Sequence, residues 1–458
     1  MLITVSNVIT IENPSTEIQD WCKSNLVLSN PEYAKKLRMH FWLGNTPEKL
    51  YLYIKDGDKL ILPYGTLREV LDIAKDYEIT TDFKKPKRIN YNCTIPLYDY
   101  QTEAMEALKK AHYGILQSRA GSGKTRIGLA LTAELGKKTL WLTHTKDLLN
   151  QSMTAAKEFM DESLFGTITE GQVNIGRGIT FSTVQTMCNL NIPLYKNIWD
   201  VVIVDECHRV AGGPTAVTQF SAVLDSLAAR HKYGLSATVH RSDGLIKATY
   251  ALLGEVVHVV PDEAVGDKVM TVSVLPRATG IEISSECLNY DGTLVYSKLI
   301  TYLCKNSERN KFIVSDLIIN SMNYNLILSD RLLHLETLMK MLPKSLRKQA
   351  VMIDGKTKKE IRKQALEEMR EGEKRFLFAT YPLAKEGLDI PRLDRLYLVT
   401  PQKDYAIITQ AIGRIARAFE GKETPIVYDY VDNIGYLEKS YKKRCTTYRK
   451  QKCEFIKE

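Results

Sequence analysis

The feature that most constrains this fold is a series of short runs that stay apolar at consecutive positions: HYGILQS, KTLWLTHT, GITFSTV, DVVIVDE and KYGLSAT. Stretches of helical periodicity separate them. A half-exposed strand would alternate apolar with polar residues. A run apolar on both faces needs cover on both, which crossover helices give to a parallel strand. After a transitional stretch from about Leu253 to Arg309, the rhythm restarts with NLILSD, QAVMIDG, RFLFATY, LDRLYLVTP and PIVYDYV. In the helix expected between two of these, EIRKQALEEMREG, residues Ile361, Ala365, Leu366 and Met369 fall on one face. Two successive doubly wound α/β domains with parallel sheets are expected. A chain of 458 residues, 44% of them hydrophobic, has the material for two such cores and a smaller domain.

That smaller domain comes first. Up to Arg88 the chain mixes β-rich runs such as LYLYIKDGDKLILP with the helix-like TLREVLDIAKDY, which suits a small α/β accessory domain. The basic DFKKPKRINYNC, containing Pro86, is expected to be a linker, with a new domain starting near Thr94. The expected divisions are 1–90, 91–265 and 266–458, the last ending in a basic tail.

A formal charge of +9 suits a polyanionic partner. The eight cysteines are scattered without a CxxC pair, so zinc binding and thiol exchange are not expected and reduced thiols are. No apolar run approaches the roughly 18 residues of a membrane span, and MLITVSNVITIENPS lacks the basic-then-apolar order of a secretory leader. A cytoplasmic protein is expected, in the host cell if phage-encoded, without a membrane partner and as a monomer or weak oligomer.

The chemistry concentrates first in SRAGSGKT, between the strand-like HYGILQ and the helical RIGLALTAEL. Glycines in such a loop let backbone N–H groups approach phosphate oxygens, the lysine meets β/γ charge, and the following hydroxyl ligates magnesium. Ser118, Ala120, Gly121, Ser122, Gly123, Lys124 and Thr125 are therefore candidates to hold ATP and Mg²⁺, with Ser118 where the usual pattern has glycine. Downstream, Asp205 and Glu206 end the apolar strand of DVVIVDECHR. Facing a P-loop, the first acid can hold the metal and the second can polarise water. Cys207 is expected to be a packed small residue, and His208 a sensor of nucleotide state.

With these residues the chain resembles a superfamily 2 helicase of the DEAD/DEAH-like group over about Leu97 to Asp432. DECH resembles motif II, AGSGKT motif I, THTKDLLNQ motif Ia, SAT motif III, ATYPLAKEGLDIP motif V and QAIGRIAR motif VI. GLSATVHRSDG is similar to the branch holding XPB-like and phage UvsW-type helicases, with Val239 where most relatives have proline. The resemblance implies two tandem RecA-like domains that close on ATP and move along nucleic acid. It further implies that Gln101 reads adenine, although Tyr98 stands where many relatives place arginine. Ser236, Ala237 and Thr238 would couple hydrolysis to movement. Gly387 and Asp389 would lie near the ribose and the DNA, and Gln410, Arg414 and Arg417 would serve the γ-phosphate from the second domain.

A motor that steps along any sequence grips phosphates rather than base edges. The resemblance makes Thr145 and Lys146 of motif Ia, Thr183 and Gln185 of the motif Ib-like FSTVQ, and Thr380 of motif V the candidates for that contact. The tail YLEKSYKKRCTTYRKQK is expected to be a solvated amphipathic helix rather than a duplex clamp. In the front domain, NPEYAKKLRMHFW sets Lys35, Lys36 and Arg38 beside Tyr33, Phe41 and Trp42, a mixture suited to phosphates and unstacked bases, or else to a small core. The expected activity is an ATP-dependent DNA helicase or translocase acting on forked and branched DNA in replication, recombination or repair. An ATP-gated binding protein and an RNA helicase are the alternatives.

Overall fold

The apolar runs become strands because their β-branched and aromatic side chains pack on both faces of a pleated sheet once helices cover it. The computed structural model describes the chain apart from residues 120, 238–243, 266–269, 386, 387, 389 and 458, with backbone alone at 262, 359, 384, 385 and 406. It divides into two compact units, one spanning Met1–Arg119 and Gly123–Ala264 and the other Val265–Glu458 together with residues 121 and 122.

In the first unit the large sheet runs, edge to edge, Gln172–Asn174, Phe165–Thr169, Ile179–Thr183, Thr139–Thr143, Val201–Asp205, His231–Ser236, Tyr113–Gln117 and Val256–Val259. Apart from the Gln172–Asn174 edge, every neighbouring pair is parallel. The second unit orders Ala350–Ile353, Phe376–Thr380, Asn325–Ser329, Arg395–Leu398, Ile426–Val431, Ser273–Ala278 and Glu454–Phe455, all parallel. Both are doubly wound α/β sheets. The stretch expected to be transitional contributes an edge strand to the first, Val256–Val259, and an inner strand to the second, Ser273–Ala278.

The front residues form a five-stranded sheet in the order Ile54–Asp56, Lys59–Pro63, Val8–Glu12, Leu2–Val5 and Glu78–Thr81. This sheet is not a detachable appendage. Its core of Ile3, Ile9, Ile11, Leu60, Leu62 and Val70 continues into Tyr113 and Ala251 of the doubly wound sheet's surroundings. The backbones meet so closely that a Cβ on Gly65 would stand 2.4 Å from the Gly254 nitrogen. Tyr64 donates its hydroxyl to the Arg230 carbonyl at 2.9 Å. The fully buried Lys232 donates to the carbonyls of Leu224 (2.7 Å) and Asn7 (3.0 Å). Removing residues 1–88 would uncover this seam, so a truncated motor is not a clean test of front-domain function.

Three local expectations are corrected. The linker is anchored at its end: Tyr91 is buried and donates its hydroxyl to the Lys137 carbonyl at 2.7 Å. In helix Lys359–Glu371, Ala365, Leu366 and Met369 are buried, but Ile361 is exposed because it lies one turn beyond the covered part of the face. The tail helix Gly435–Lys450 is not simply solvated. Leu437, Arg444, Cys445 and Tyr448 are buried, and Arg444 pairs with buried Asp429 at 2.8 Å. Tyr448 donates to the same carboxylate at 2.8 Å, so this face belongs to the core. All eight cysteines are unbridged thiols. Among the described residues no helix is long and apolar enough to cross a membrane.

Candidate functional site

In parallel sheets all the carboxyl ends of the strands face one edge, and loops there are brought side by side by strand order alone. Gln117 aligns with Ser236, and Asp205 with Leu235; Val204 aligns with Leu142, and Thr143 with Thr183. Along the edge this sets, in order, the loop 118–125, Ser236, Asp205 with Glu206, the turn at Thr145, and Thr183. Residues separated by more than a hundred positions become neighbours through register.

The glycines of the loop carry its geometry. Gly121 and Gly123 have φ of +86° and +83°, a region other residues rarely adopt. A Cβ on Gly123 would also stand 2.5 Å from the Gln101 amide nitrogen. Gln101 thus lies against the loop, oriented by its Oε1 accepting the Tyr98 backbone N–H at 3.0 Å. The backbone N–H of Ser118 donates to the Ser236 carbonyl at 3.0 Å. Helix Lys124–Leu135 then begins, so its N-terminal amides and dipole lie at the loop. Lys124 is buried, its ammonium donating to the Arg119 carbonyl at 3.4 Å.

Asp205 is buried and accepts from the Glu206 backbone N–H at 3.0 Å and the Ser152 hydroxyl at 3.3 Å. Burial pushes its carboxyl up to about 6, the neighbouring Glu206 adds to the rise, and Lys124 opposes it. Glu206 sits in the left-handed region at φ +52°, strain that tight surroundings must hold. Its Oε2 lies 3.2 Å from His208 Nδ1, which is 3.1 Å from the Ser236 hydroxyl. His208 therefore joins the acid pair to the SAT segment. The buried Cys207 packs against Gly234, and burial raises its thiol well above the usual range, which suits a packing role. Two adjacent carboxylates opposite a buried lysine, beside a glycine loop and a helix start, fit a metal-bound triphosphate in charge and in donor type.

The other candidates are placed as follows. Thr145 and Thr183 are helix N-caps, accepting from Leu148 N–H (3.4 Å) and Thr186 N–H (3.2 Å). Thr183 is buried, so its role is local. Lys146 is exposed and pairs with Glu170 at 3.3 Å. Gln185 meets His144 at 3.1 Å, tying two of the edge loops together. In the second unit Thr380 ends its strand half-buried. Gln410 and Arg414 sit on helix Tyr405–Ile415, four residues apart and so on one face. Gln410 Oε1 is buried without a hydrogen-bond partner among the described residues. Arg417 follows the helix, and burial together with the nearby Arg370 guanidinium lowers its pKa. Ala120, Thr238, Gly387 and Asp389 lie outside the described residues, as does most of HRSDG.

Ser152, His144 and Arg370 were not singled out from sequence. Ser152 is one of several polar residues on the helix Lys146–Lys157, and only strand register shows that it reaches Asp205.

Residues 94–241 match the family model described as "Type III restriction enzyme, res subunit", and residues 298–419 match "Helicase conserved C-terminal domain". A protein of Acanthamoeba polyphaga mimivirus, assigned by name to the ATP-dependent RNA helicases, is 26% identical over 420 residues, covering 88% of this chain and 76% of its own. The DNA 3'-5' translocase XPB2 of Sulfurisphaera tokodaii is 27% identical over 43% of each chain. Among solved structures, S. cerevisiae Dbp5 bound to RNA and ADP BeF3 superposes with a TM-score of 0.54 at 15% identity, covering 80% of this chain and 94% of that one, which supports tandem RecA-like domains. With the res-subunit model matched in the first unit, the helicase C-terminal model in the second and XPB homologues among its relatives, the chain belongs to the superfamily 2 helicases, ATP-driven nucleic-acid enzymes, in their XPB-like branch.

Proposed function

We propose that this helicase acts on DNA, hydrolysing ATP to translocate on, unwind or branch-migrate forked and branched substrates in replication, recombination or repair. The observation that carries the catalytic part is the alignment along one sheet edge of buried Lys124, the Asp205–Glu206 pair and Ser236, with His208 between the acids and the serine.

Lys124 would meet the β/γ-phosphates, and the loop amides from Ser118 to Thr125 would cradle them. Thr125 and Asp205 would hold Mg²⁺, which draws charge from the phosphates when bound. Glu206 would orient water, and Gln101 would read the base. Arg414 and Arg417, with Gln410, would oppose transition-state charge from the second domain, and Gly387 and Asp389 would lie by the ribose. Ser236, Ala237 and Thr238 would relay the nucleotide state. Thr145, Lys146, Gln185 and Thr380 remain the proposed strand contacts, with Thr183 acting through its cap.

The naming of the archaeal relative as a DNA translocase supports DNA, while the mimivirus relative's name favours RNA as a second reading. Strand separation by the full-length protein should be compared on a fork, a four-way junction and a tailed linear duplex, in DNA and in matching RNA, at one salt concentration. Preference for branched DNA is the expected result. Equal rates on linear duplex remove the branched-substrate reading, and faster RNA unwinding replaces DNA with RNA.

A further inference from the structure

One segment of the front domain contributes almost nothing to its core. Strands Val27–Ser29 and Lys49–Tyr51 pair antiparallel as a stem, and between them helix Pro31–Arg38 and the loop after it project as a finger. Helix Pro31–Arg38 has no buried residue. The finger is nevertheless held in shape. Asn30 caps the helix and donates from its amide to the Pro47 carbonyl at 2.7 Å, and Lys36 donates to the Thr46 hydroxyl at 2.7 Å.

On this ordered scaffold large apolar side chains face solvent: Leu37, Met39, Phe41 and Trp42, the last 88% exposed. Large apolar side chains exposed together on one short segment mark an interaction surface. Gly44 lies at φ +50°, and a Cβ there would come within 3.0 Å of the Trp42 ring, so a glycine is what lets the indole rest over the loop. Lys35, Arg38 and Lys49 of the same segment are exposed as well. Exposed aromatic rings and cations on one short segment suit unpaired nucleotides, whose bases stack while their phosphates are neutralised, better than an apolar protein face.

The stem's root lies close to the ATP machinery. Leu28, with Leu50 and Leu52, packs against Ala211 and Val217, which follow the DECH turn, and against Leu245 and Ala248, which follow the SAT segment. We propose that residues 30–49 form a nucleic-acid finger that stacks unpaired DNA bases on Trp42 and Phe41, its root resting on the segments that follow the two nucleotide-reading motifs. This rests on the nucleic-acid motor reading above and adds the contact.

The test uses the full-length protein with single-stranded oligothymidylate (dT)₂₀ and a 20-bp duplex as probes. Of the four tryptophans, Trp141 and Trp199 are buried and Trp21 is partly buried against the front-sheet core, so the exposed Trp42 should dominate any emission change on binding. Oligothymidylate should quench indole emission in the wild type but not in Trp42→Phe, which keeps a stacking ring and near-normal affinity. Trp42→Ala should bind (dT)₂₀ roughly ten-fold more weakly, as expected for loss of one stacked base, with duplex binding little changed and the unfolding temperature unmoved. Equal quenching in wild type and Trp42→Phe, or unweakened (dT)₂₀ binding by Trp42→Ala, overturns the proposal. Loss of self-association in Trp42→Ala with DNA binding intact assigns the face to a second copy instead. Failure of the wild type to bind either probe would strike the motor reading itself, a separate outcome.

Discussion

Replacing Lys232 with methionine probes the seam between the front sheet and the motor. Lys232 is fully buried, and its ammonium donates to two carbonyls, one of them on Asn7, 225 positions away in sequence. Burial lowers its pKa to about 8 against the pull of Asp225, whose own carboxyl burial raises to about 7. Methionine keeps the volume but orphans the two carbonyls, which costs about 2 kcal/mol in all. It also removes the cation that keeps Asp225 ionised. At pH 6, below about 7, Asp225 is protonated in both proteins, and only the carbonyl loss should show. Above pH 7 the variant's Asp225 must stay protonated to remain buried. A raised folded pKa means stability falls as pH rises, by about 1.4 kcal/mol per unit beyond that of the wild type. The deficit at pH 8 is then about 3–4 kcal/mol, about 10 °C in unfolding temperature for a unit this size. Circular dichroism melts at pH 6 and 8 measure it, and Asp225→Asn combined with Lys232→Met should remove the pH dependence. A deficit equal at both pH values, or below about 0.5 kcal/mol, would refute the reasoning.

Glu206→Gln should retain Mg-ATP binding while turnover falls by about 10²-fold or more, since on the proposed roles Asp205 would still hold the metal and only the carboxylate proposed to orient water is neutralised; nucleotide titration beside a phosphate-release assay separates the two. Arg414→Ala and Arg417→Ala should each lower kcat by about 10³-fold with little change in ATP affinity, because in the proposed role these cations act on transition-state charge; equal losses in both would make the arginine structural. His334 is buried between Ser329 and Asn310 and its pKa is lowered to about 3, chiefly by burial, so the folded protein refuses a proton that the unfolded chain takes below about 6.5. Stability should fall with acid by about 2 kcal/mol at pH 5 from this group, and His334→Gln should flatten that part of the denaturant-unfolding profile between pH 7.5 and 5.

The central strands were legible because burial on both faces leaves an unmistakable apolar signature, and DVVIVDE and RFLFATY are strands where their pattern puts them. Val256–Val259 was not, because an edge strand is half exposed, and Pro276 obscured Ser273–Ala278. The loop at Lys124 and the acids at 205 and 206 could be read because their chemistry fixes local spacing. The links among them could not, since Ser152 reaches Asp205, and His208 reaches Ser236, only through sheet register. Lys232 opens the KYGLSAT run, and nothing local foretells that its ammonium donates to the distant Asn7 carbonyl. Trp42 could equally have filled a small core by composition; its exposure shows that it does not.

The most direct measurement is steady-state ATP hydrolysis by the full-length protein with no nucleic acid, single-stranded DNA, duplex, forked and four-way DNA, and matching RNA, with Lys124→Ala alongside. Turnover should rise on DNA, most with forked and four-way forms, and should be abolished in Lys124→Ala whatever is added. Unstimulated turnover, stimulation by RNA above every DNA, or near-normal hydrolysis by Lys124→Ala would contradict the account.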